Sequence, residues 1–345
     1  MFNSLCAGRR LQHDAALGGP TRRAFLMATG MSSAVAATGC GASDIAEVNA
    51  GPSQTPTSRP KPTVRPTDPP LKIVPDVTYA VGDPLAVPYG QHSSRQYGEL
   101  IVPQGLPENI KVPVIMLLHG GSWKNSSTLD YMRGIAQNMA AHGIVTWNVE
   151  YRGIGGGGGW PNTFADVAAA MDHVPALAEN IGRTIDRKRF VVSGHSAGGH
   201  LAAWAASRHT RGAEQPGGRP VLRPAACVTF AGVYDLAFAH HSGHRRMVTL
   251  LGGTPEQIPE RYELASPIHN IPQDVHFVCC HGSDDSVVPV SQLYNYAARG
   301  EGVGNQVETV VLTNGDHLDW GDPTTYAYGV GQQTLLESVM AVDIA

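Results

Sequence analysis

Cysteine is scarce in this chain of 345 residues, which contains five. No two of them have the spacing of a zinc-binding pair, and so few cannot form a disulfide framework. Cys279 and Cys280 are neighbours in an apolar run, so on a β-strand they would point to opposite faces of the sheet. We therefore expect buried free thiols here rather than a strained disulfide between neighbours.

An excess of charge of either sign is also lacking. Lys and Arg number 25 against 29 Asp and Glu, the formal net charge is -4, and the isoelectric point is about 6.4. This balance gives no reason to expect a nucleic acid as partner. Hydrophobic residues make up 42% of the chain, enough for one large core or two small ones.

The N-terminal region has no apolar run long enough for a permanent membrane-spanning helix. Its apolar stretch, Ala24 to Ala37, follows Thr21-Arg22-Arg23 and ends at Gly39-Cys40. The paired arginines resemble a twin-arginine export signal, and the segment before Cys40 resembles a bacterial lipobox. We therefore predict a lipoprotein signal peptide over residues 1–40, with lipidation of Cys40. The alternative is a plain cleaved signal with an incidental cysteine.

Residues 41–70 are rich in Pro, Thr and Ser and show no apolar periodicity. Such a composition predicts a disordered, partly polyproline-type tether that cannot bury enough apolar surface to fold. Together with the signal, it predicts an exported protein. The protein would be held on the outer face of the cytoplasmic membrane through Cys40, or be secreted.

From residue 71 to residue 345, strand-like and helix-like segments alternate, which predicts one α/β domain with a mostly parallel sheet of about eight strands flanked by helices. Continuous apolar runs are typical of strands buried on both faces. The spacing of apolar residues predicts a helix over 164–174. An antiparallel strand is expected over 96–102 at the edge of the sheet. The buried strands are predicted at 112–118, 144–149, 190–193, 228–231, 276–280 and 307–312.

Ser196 lies in Gly194-His195-Ser196-Ala197-Gly198, between an apolar strand and a helix-like segment. A G-x-S-x-G motif in this strand–turn–helix context predicts a nucleophile elbow, where small neighbours permit the strained turn. We therefore predict that Ser196 is a nucleophile. The alternative is a glycine-rich turn that contains an idle serine.

A serine nucleophile needs a base, and the base needs a carboxylate to orient it. Two loops beyond predicted strands supply these groups, in the chain order Ser, Asp, His. We predict Asp285 as the carboxylate and His317 as the base, with Asp284 as the rival carboxylate. The loop His119-Gly120-Gly121-Ser122-Trp123 also follows a strand, and His119 is expected to make structural hydrogen bonds.

Three further features have open interpretations. His240, His241 and His244 lack an accompanying carboxylate or cysteine at a diagnostic spacing, so we predict no metal site. The glycine-rich segment 153–159 would be either a mobile flap over the reaction site or a permissive surface loop. Trp123, Trp160 and Trp320 would either wall an aromatic pocket or belong to the core.

Glu150 also has two interpretations. It would either bind a substrate amine or form a structural pair with Arg152, and we expect the structural pair.

Four segments together resemble the esterase and lipase type of α/β hydrolases, near the bifunctional D-aminoacylase/feruloyl-esterase-like and kynurenine formamidase (arylformamidase) groups. The resemblance implies cofactor-free hydrolysis of a small-molecule ester, or less often an amide, through an acyl-enzyme. It also implies that backbone N–H groups of Gly121, Ser122 and Ala197 form an oxyanion hole. The alternatives are an amide-cleaving relative, either an arylformamidase or an aminopeptidase-like enzyme, and a catalytically silent surface-anchored binding module. The four segments are residues 119–123, 150–152, 194–202 and 281–285.

Overall fold

The computed structural model describes residues 78–341. The predicted signal peptide, Cys40 and the tether lie outside the described residues. The predicted α/β architecture is confirmed, since eight strands form one sheet in the order β1-β2-β4-β3-β5-β6-β7-β8. The strands are β1 (Leu85–Pro88), β2 (Tyr97–Ile101), β3 (Val112–Leu118), β4 (Val145–Val149), β5 (Ile185–His195), β6 (Ala226–Phe230), β7 (His276–Gly282) and β8 (Glu308–Leu312).

The six strands from β3 to β8 are parallel to one another. At one end of the sheet, β2 pairs antiparallel with β4, and β1 pairs antiparallel with β2. The predicted edge strand is therefore the second strand, because β1 covers it. β1 escaped prediction because its four residues are mostly exposed and carry no apolar run. The central strands β3 and β4 are fully buried, as their continuous apolar sequences require.

Helices cover both faces of the sheet and divide the apolar core into two clusters, one on each face. The predicted helix over 164–174 is found at Asn162–Asp172. Cys279 and Cys280 are buried thiols outside any disulfide, and they belong to different clusters, so they point to opposite faces as expected. The α-helices are α1 (Asp130–Ala141), α2 (Asn162–Asp172), α3 (Leu177–Ile181), α4 (Ala197–Ala206), α5 (Leu236–His241), α6 (Arg246–Leu251), α7 (Pro259–Ala265), α8 (Ser291–Gly302) and α9 (Tyr326–Met340).

Among the helices within residues 78–341, none combines the length and the apolar character needed to cross a bilayer. The parallel strands β3, β5, β7 and β8 all end at the same edge of the sheet. The loops that follow them carry every residue predicted to do chemistry.

Candidate active site

Ser196 stands at the sharp turn between β5 and α4. Its backbone is in the left-handed region, with φ 55° and ψ −118°, and its N–H donates to the carbonyl of Phe230 at 2.8 Å. A non-glycine residue with this geometry is strained and persists only where its surroundings hold it. The turn presents the Ser196 side chain at the carboxyl edge of the sheet, as a nucleophile elbow would.

Gly198 makes this turn possible by close approach. A Cβ atom at Gly198 would lie 2.0 Å from the carbonyl oxygen of Leu118 and 2.5 Å from that of His119. Only a residue without a side chain permits the start of α4 to press against the end of β3. This contact brings Ser196 beside the loop that follows β3.

His317 connects Ser196 to Asp285. The Nε2 atom of His317 lies 3.0 Å from Ser196 Oγ, and its Nδ1 lies 2.7 Å from Asp285 Oδ2. Since an ionised carboxylate can only accept, Nδ1 bears the hydrogen and Nε2 is free to accept from the serine hydroxyl. All three residues are buried, so water competes little for these hydrogen bonds. The predicted residues are therefore brought together in the predicted order.

Asp285 accepts four hydrogen bonds. The N–H groups of Val287 and Val288 donate to its Oδ1, while the imidazoles of His281 and His317 approach its Oδ2. Burial alone would raise the pKa of Asp285. The hydrogen bonds from His281 and His317 outweigh that effect and hold the pKa of this carboxyl well below its usual range. The carboxylate is thus fixed in its ionised form.

Asp284, the rival carboxylate, is exposed, and it accepts a hydrogen bond from the hydroxyl of its neighbour Ser283 at 2.8 Å. Of the two carboxylates, Asp285 is the one that forms the hydrogen bond with His317.

His195 supports His317 from the other side. Its Nε2 donates to the backbone carbonyl of His317 at 2.8 Å, and the two rings lie 4.8 Å apart. Burial, with a smaller contribution from the nearby His317, lowers the pKa of His195 to about 3. His195 is therefore neutral at physiological pH and positions the His317 loop without carrying charge.

The loop after β3 turns through three consecutive residues with positive φ, at 102° for Gly121, 55° for Ser122 and 56° for Trp123. Ser122 and Ala197 border the same cavity as Ser196, and Gly121 borders a second one with Ser196. The three predicted oxyanion-hole residues thus flank the serine. The turn is strained at two non-glycine positions, which requires support from neighbouring residues.

A buried network around Glu150 gives that support. Glu150 Oε1 accepts from Arg95 Nη2 at 2.7 Å and lies 2.9 Å from His119 Nε2, and its Oε2 accepts from the N–H of Leu129. Arg95 also donates to the carbonyl of Ser127 at 2.6 Å. The carboxylate of Glu150 thus anchors the loop at both ends, directly at His119 and through Arg95 at Ser127. His119 makes structural hydrogen bonds, as expected.

The prediction that Glu150 pairs with Arg152 was wrong. The guanidinium of Arg152 instead forms two hydrogen bonds with Asp166, at 2.8 and 2.6 Å. Both residues lie beyond the end of β4, where the strand alternation no longer sets the direction of their side chains. Arg95, the partner of Glu150, lies 55 positions away in the chain, and no local signal in the sequence could identify it.

The glycine-rich segment 153–159 is tied to the loop that bears Trp123. The Ile154 N–H donates to the Trp123 carbonyl at 2.7 Å, and the Asn125 N–H donates to the Ile154 carbonyl at 3.0 Å. A Cβ atom at Gly158 would lie 2.2 Å from the carbonyl of Arg152, so the segment is tightly folded. It borders neither cavity at Ser196. The structure thus corrects the interpretation of this segment as a flap over the site.

Two cavities meet at Ser196. The small cavity has a volume of about 70 Å³, and the large cavity has a volume of about 410 Å³. The small cavity is lined by Ser122, Trp123, Ser196, Ala197, Val233, Ala239, His244, Arg246, Met247, Val287, Val288, Pro289 and Gln292. The large cavity is lined by Gly120, Gly121, Ser122, Ser127, Thr128, Tyr131, His195, Ser196, Val287, His317 and Leu318.

Of the tryptophans predicted to wall a pocket, Trp123 borders the small cavity. Its indole N–H donates to Nδ1 of His200 at 3.1 Å, which fixes the ring. Trp160 lines neither cavity, because it packs edge-on against Phe164 at 5.0 Å. Trp320 is buried in the core on the opposite face of the sheet. The prediction for Trp160 is thus corrected.

Of the three clustered histidines, His241 pairs with Glu256 at 3.0 Å, and His244 lines the small cavity. Within residues 78–341, no group of three side chains is placed to bind a metal ion. The arrangement at Ser196 can activate a hydroxyl for attack on a carbonyl group.

Comparison with known proteins agrees with this chemistry. The profile of the BD-FAE family matches residues 101–298. The chain is 28% identical over 227 residues to a probable carboxylic ester hydrolase, LipM, of Mycobacterium tuberculosis (strain ATCC 25618 / H37Rv), with 64% of this chain covered. It is 31% identical over 215 residues to the esterase LipC of the same organism, with 59% covered. The alignments span about half of these relatives, 52% of each.

The fold is also found in solved structures. An esterase of the Planctomycetes species Thermogutta terrifontis, Est2 with butyrate bound, superposes with a TM-score of 0.63 at 22% identity. The superposition covers 75% of this chain and 94% of that one. At this level of identity, the likeness concerns the fold.

Proposed function

The chain belongs to the BD-FAE family, and on this basis we propose that it is a serine carboxylesterase that hydrolyses small-molecule esters through an acyl-enzyme. One observation carries the proposal. Ser196, in its strained turn, is hydrogen-bonded to His317, which is hydrogen-bonded to the ionised Asp285. A structural serine would need neither the strain nor the buried base.

The reaction follows from these contacts. Ser196 Oγ attacks the ester carbonyl while His317 Nε2 takes its proton, and Asp285 holds the Nδ1 hydrogen of the imidazole. The N–H groups of Ala197, Gly121 and Ser122 stabilise the oxyanion. His317 then protonates the departing alkoxide, and a water activated by the same base releases the acid.

Each of the two cavities receives a different part of the substrate. His317 lines the large cavity and must reach the leaving oxygen, so the alcohol part belongs there. The acyl part then enters the small cavity, beside Ala197 and Trp123. Exposed apolar side chains border the large cavity: Tyr131 is 38% exposed, Val287 47% and Leu318 63%. Exposed apolar groups that converge on a pocket favour an apolar or aryl alcohol.

An ester is favoured over the amide-cleaving alternatives. An aminopeptidase-like reaction would use Glu150 to bind the substrate amine, but both oxygens of this carboxylate already accept hydrogen bonds from Arg95, Leu129 and Tyr151. The side chain of Glu150 is 2% exposed. A catalytically silent binding module would have no use for the relay through His317.

The test is labelling by a fluorophosphonate probe together with hydrolysis of 4-nitrophenyl esters. Ser196→Ala should lose the label and lower kcat on the order of a millionfold. Ser242→Ala, a change at an exposed serine, should retain both. Retention of label and turnover by Ser196→Ala would sink the proposal. Faster cleavage of N-formylkynurenine or aminoacyl anilides than of aryl and feruloyl esters would favour an amide-cleaving enzyme.

We further propose export as a twin-arginine lipoprotein, supported by Arg22-Arg23 and by the sequence that ends at Cys40. Radiolabelled palmitate should be incorporated into the wild type and not into Cys40→Ala, whereas Cys227→Ala should still be labelled. A Cys40→Ala protein that keeps the lipid would contradict lipidation at this position. Replacement of both arginines by lysines should block export.

A further inference from the structure

We propose that the small cavity selects an acyl group that bears a carboxylate, and that Arg246 recognises it. This inference rests on the proposed esterase function and names the class of acid that the enzyme would release: a short dicarboxylic acid, cleaved from its half-ester. Arg246 is the first residue of α6, and it lines the small cavity together with Ser196 and Ala197.

The charge of this cavity is not balanced within the part of the chain that the structure describes. His244 and Arg246 line it, and none of its lining residues is an Asp or a Glu. Neither side chain has a hydrogen-bond or ion-pair partner among residues 78–341. Other arginines of the domain use their guanidinium groups: Arg208 pairs with Asp172, and Arg261 donates to the backbone carbonyl of Leu251. Arg246 is thus an exposed cation that borders the same cavity as the nucleophile and is available to an anion.

The other walls of the cavity strengthen this attraction. Val233, Met247 and Val288 are buried apolar side chains that line it. Arg246 itself is exposed at the border of the cavity. Apolar walls on one side reduce the solvent screening of a guanidinium–carboxylate contact formed there, compared with a contact on an open surface. Gln292, the amide in the lining, carries no charge to attract a carboxylate. Its side chain is already hydrogen-bonded to the backbone of Tyr234 and Asp235.

The size of the cavity limits the length of the acyl group. About 70 Å³ suits an acyl chain of a few carbons, whereas the large cavity has about six times that volume. A succinyl group fits this description, because its carboxylate ends a short chain. The uncharged 4-methylpentanoyl group has the same branched outline and serves as its isostere.

The experiment compares monobenzyl succinate with benzyl 4-methylpentanoate, and benzyl alcohol release is measured by chromatography. For the wild type, we expect a higher kcat/KM for the succinate ester. In Arg246→Gln, the ratio of the two kcat/KM values should fall at least tenfold, as expected for the loss of a charge-assisted hydrogen bond. Arg245→Gln is the matched control, since Arg245 is exposed and lines neither cavity. Its ratio should equal that of the wild type.

A second readout does not depend on turnover. Isothermal titration calorimetry compares the binding of monobenzyl succinate to Ser196→Ala and to Ser196→Ala with Arg246→Gln added. Ser196→Ala removes only the Oγ atom from the cavity lining, and the protein with both changes should bind more weakly. Raising the salt concentration should weaken binding only where Arg246 is present.

Equal ratios in wild type and Arg246→Gln, or equal calorimetric affinities, would overturn the proposal while leaving the esterase function intact. A different outcome would refute the esterase function alone: the wild type hydrolyses no ester, yet monobenzyl succinate still binds in a way that depends on Arg246.

Discussion

Asp285 Oδ2 lies 3.1 Å from Nε2 of His281, a second histidine besides the one that contacts the serine. The same Nε2 is 2.8 Å from the carbonyl oxygen of Val288. Since both neighbours are acceptors, this nitrogen bears the hydrogen and shares it between them. His281 thus holds Asp285 in place without approaching Ser196, and its effect on the serine passes through the carboxylate.

Replacing His281 by Phe keeps an aromatic ring and removes the donor. We expect kcat to fall roughly tenfold, far less than in Ser196→Ala, because Asp285 keeps three of its hydrogen bonds. The free energy of unfolding should fall by about 1–3 kcal/mol, because the Val288 carbonyl loses its partner. Turnover of 4-nitrophenyl acetate and urea denaturation measure the two effects. His281→Gln, which restores an N–H donor, should recover part of kcat; equal losses in both variants would contradict this role.

The pH dependence of stability should carry the signature of His195. Its pKa in the folded protein is lowered to about 3 by burial, against about 6.5 in an unfolded chain. Between these values the unfolded chain binds the proton and the folded protein does not, so stability falls as the pH drops below about 6.5. Relative to His195→Gln, the wild type should lose about 0.7 kcal/mol between pH 7 and 6 and about 1.2 kcal/mol between pH 6 and 5, approaching about 1.4 kcal/mol per pH unit below that. Urea denaturation at pH 7, 6 and 5 measures this, and parallel curves for the two proteins would refute it.

Glu150→Gln removes the charge that ties the loop after β3 to Arg95 and His119. Leaving a buried guanidinium without its carboxylate typically costs about 3–5 kcal/mol. Part of this cost should be relieved here by solvent, since Arg95 is 20% exposed. We therefore expect a loss of roughly 2–4 kcal/mol in unfolding free energy, with reduced kcat/KM for aryl esters.

Glu214→Gln is the control for that change, because Glu214 and Arg219 form a pair with side chains 90% and 71% exposed. Exposed pairs contribute little, so its stability and activity should match those of the wild type. A Glu150→Gln protein as stable and active as Glu214→Gln would contradict the role of the network.

Gly198→Ala should separate α4 from the end of β3. The added Cβ would meet two backbone carbonyls, which cannot move aside as a flexible side chain would. We expect a loss of about 2 kcal/mol or more, within the range for overpacking a tight contact, and a large fall in kcat because Ser196 shifts. Gly329→Ala is the matched change in α9, where nothing lies within 4 Å. It should raise stability by about 0.5–1 kcal/mol and leave kcat unchanged. Thermal unfolding and ester hydrolysis compare the two.

Much of this architecture is predictable because its signals are local. Apolar runs marked the buried strands, and small residues around Ser196 marked the sharp turn before α4. Asp285 and His317 were found from chain order, since loops after parallel strands meet at one edge of the sheet.

The contacts that sequence reasoning missed depend on side chains distant in the chain. Arg95 reaches Glu150 across 55 positions. The contact of His281 with Asp285, four positions away, is an exception, and it depends on the β7 loop folding back on itself. Arg246 lies in a helical segment between β6 and β7, outside the four segments that carry the family resemblance. Periodicity and motif spacing describe neighbours along the chain, so they do not report which distant side chains meet.

The segment with α5 and α6 supplies Ala239, His244, Arg246 and Met247 to the small cavity, while Ser196 and His317 come from loops at the sheet edge. Under the proposed function, one wall of the acyl cavity is therefore encoded apart from the residues that cleave the bond. A protein engineer could transplant residues 236–251 from a homologue to exchange the acid released, while retaining the hydrolytic machinery of the recipient.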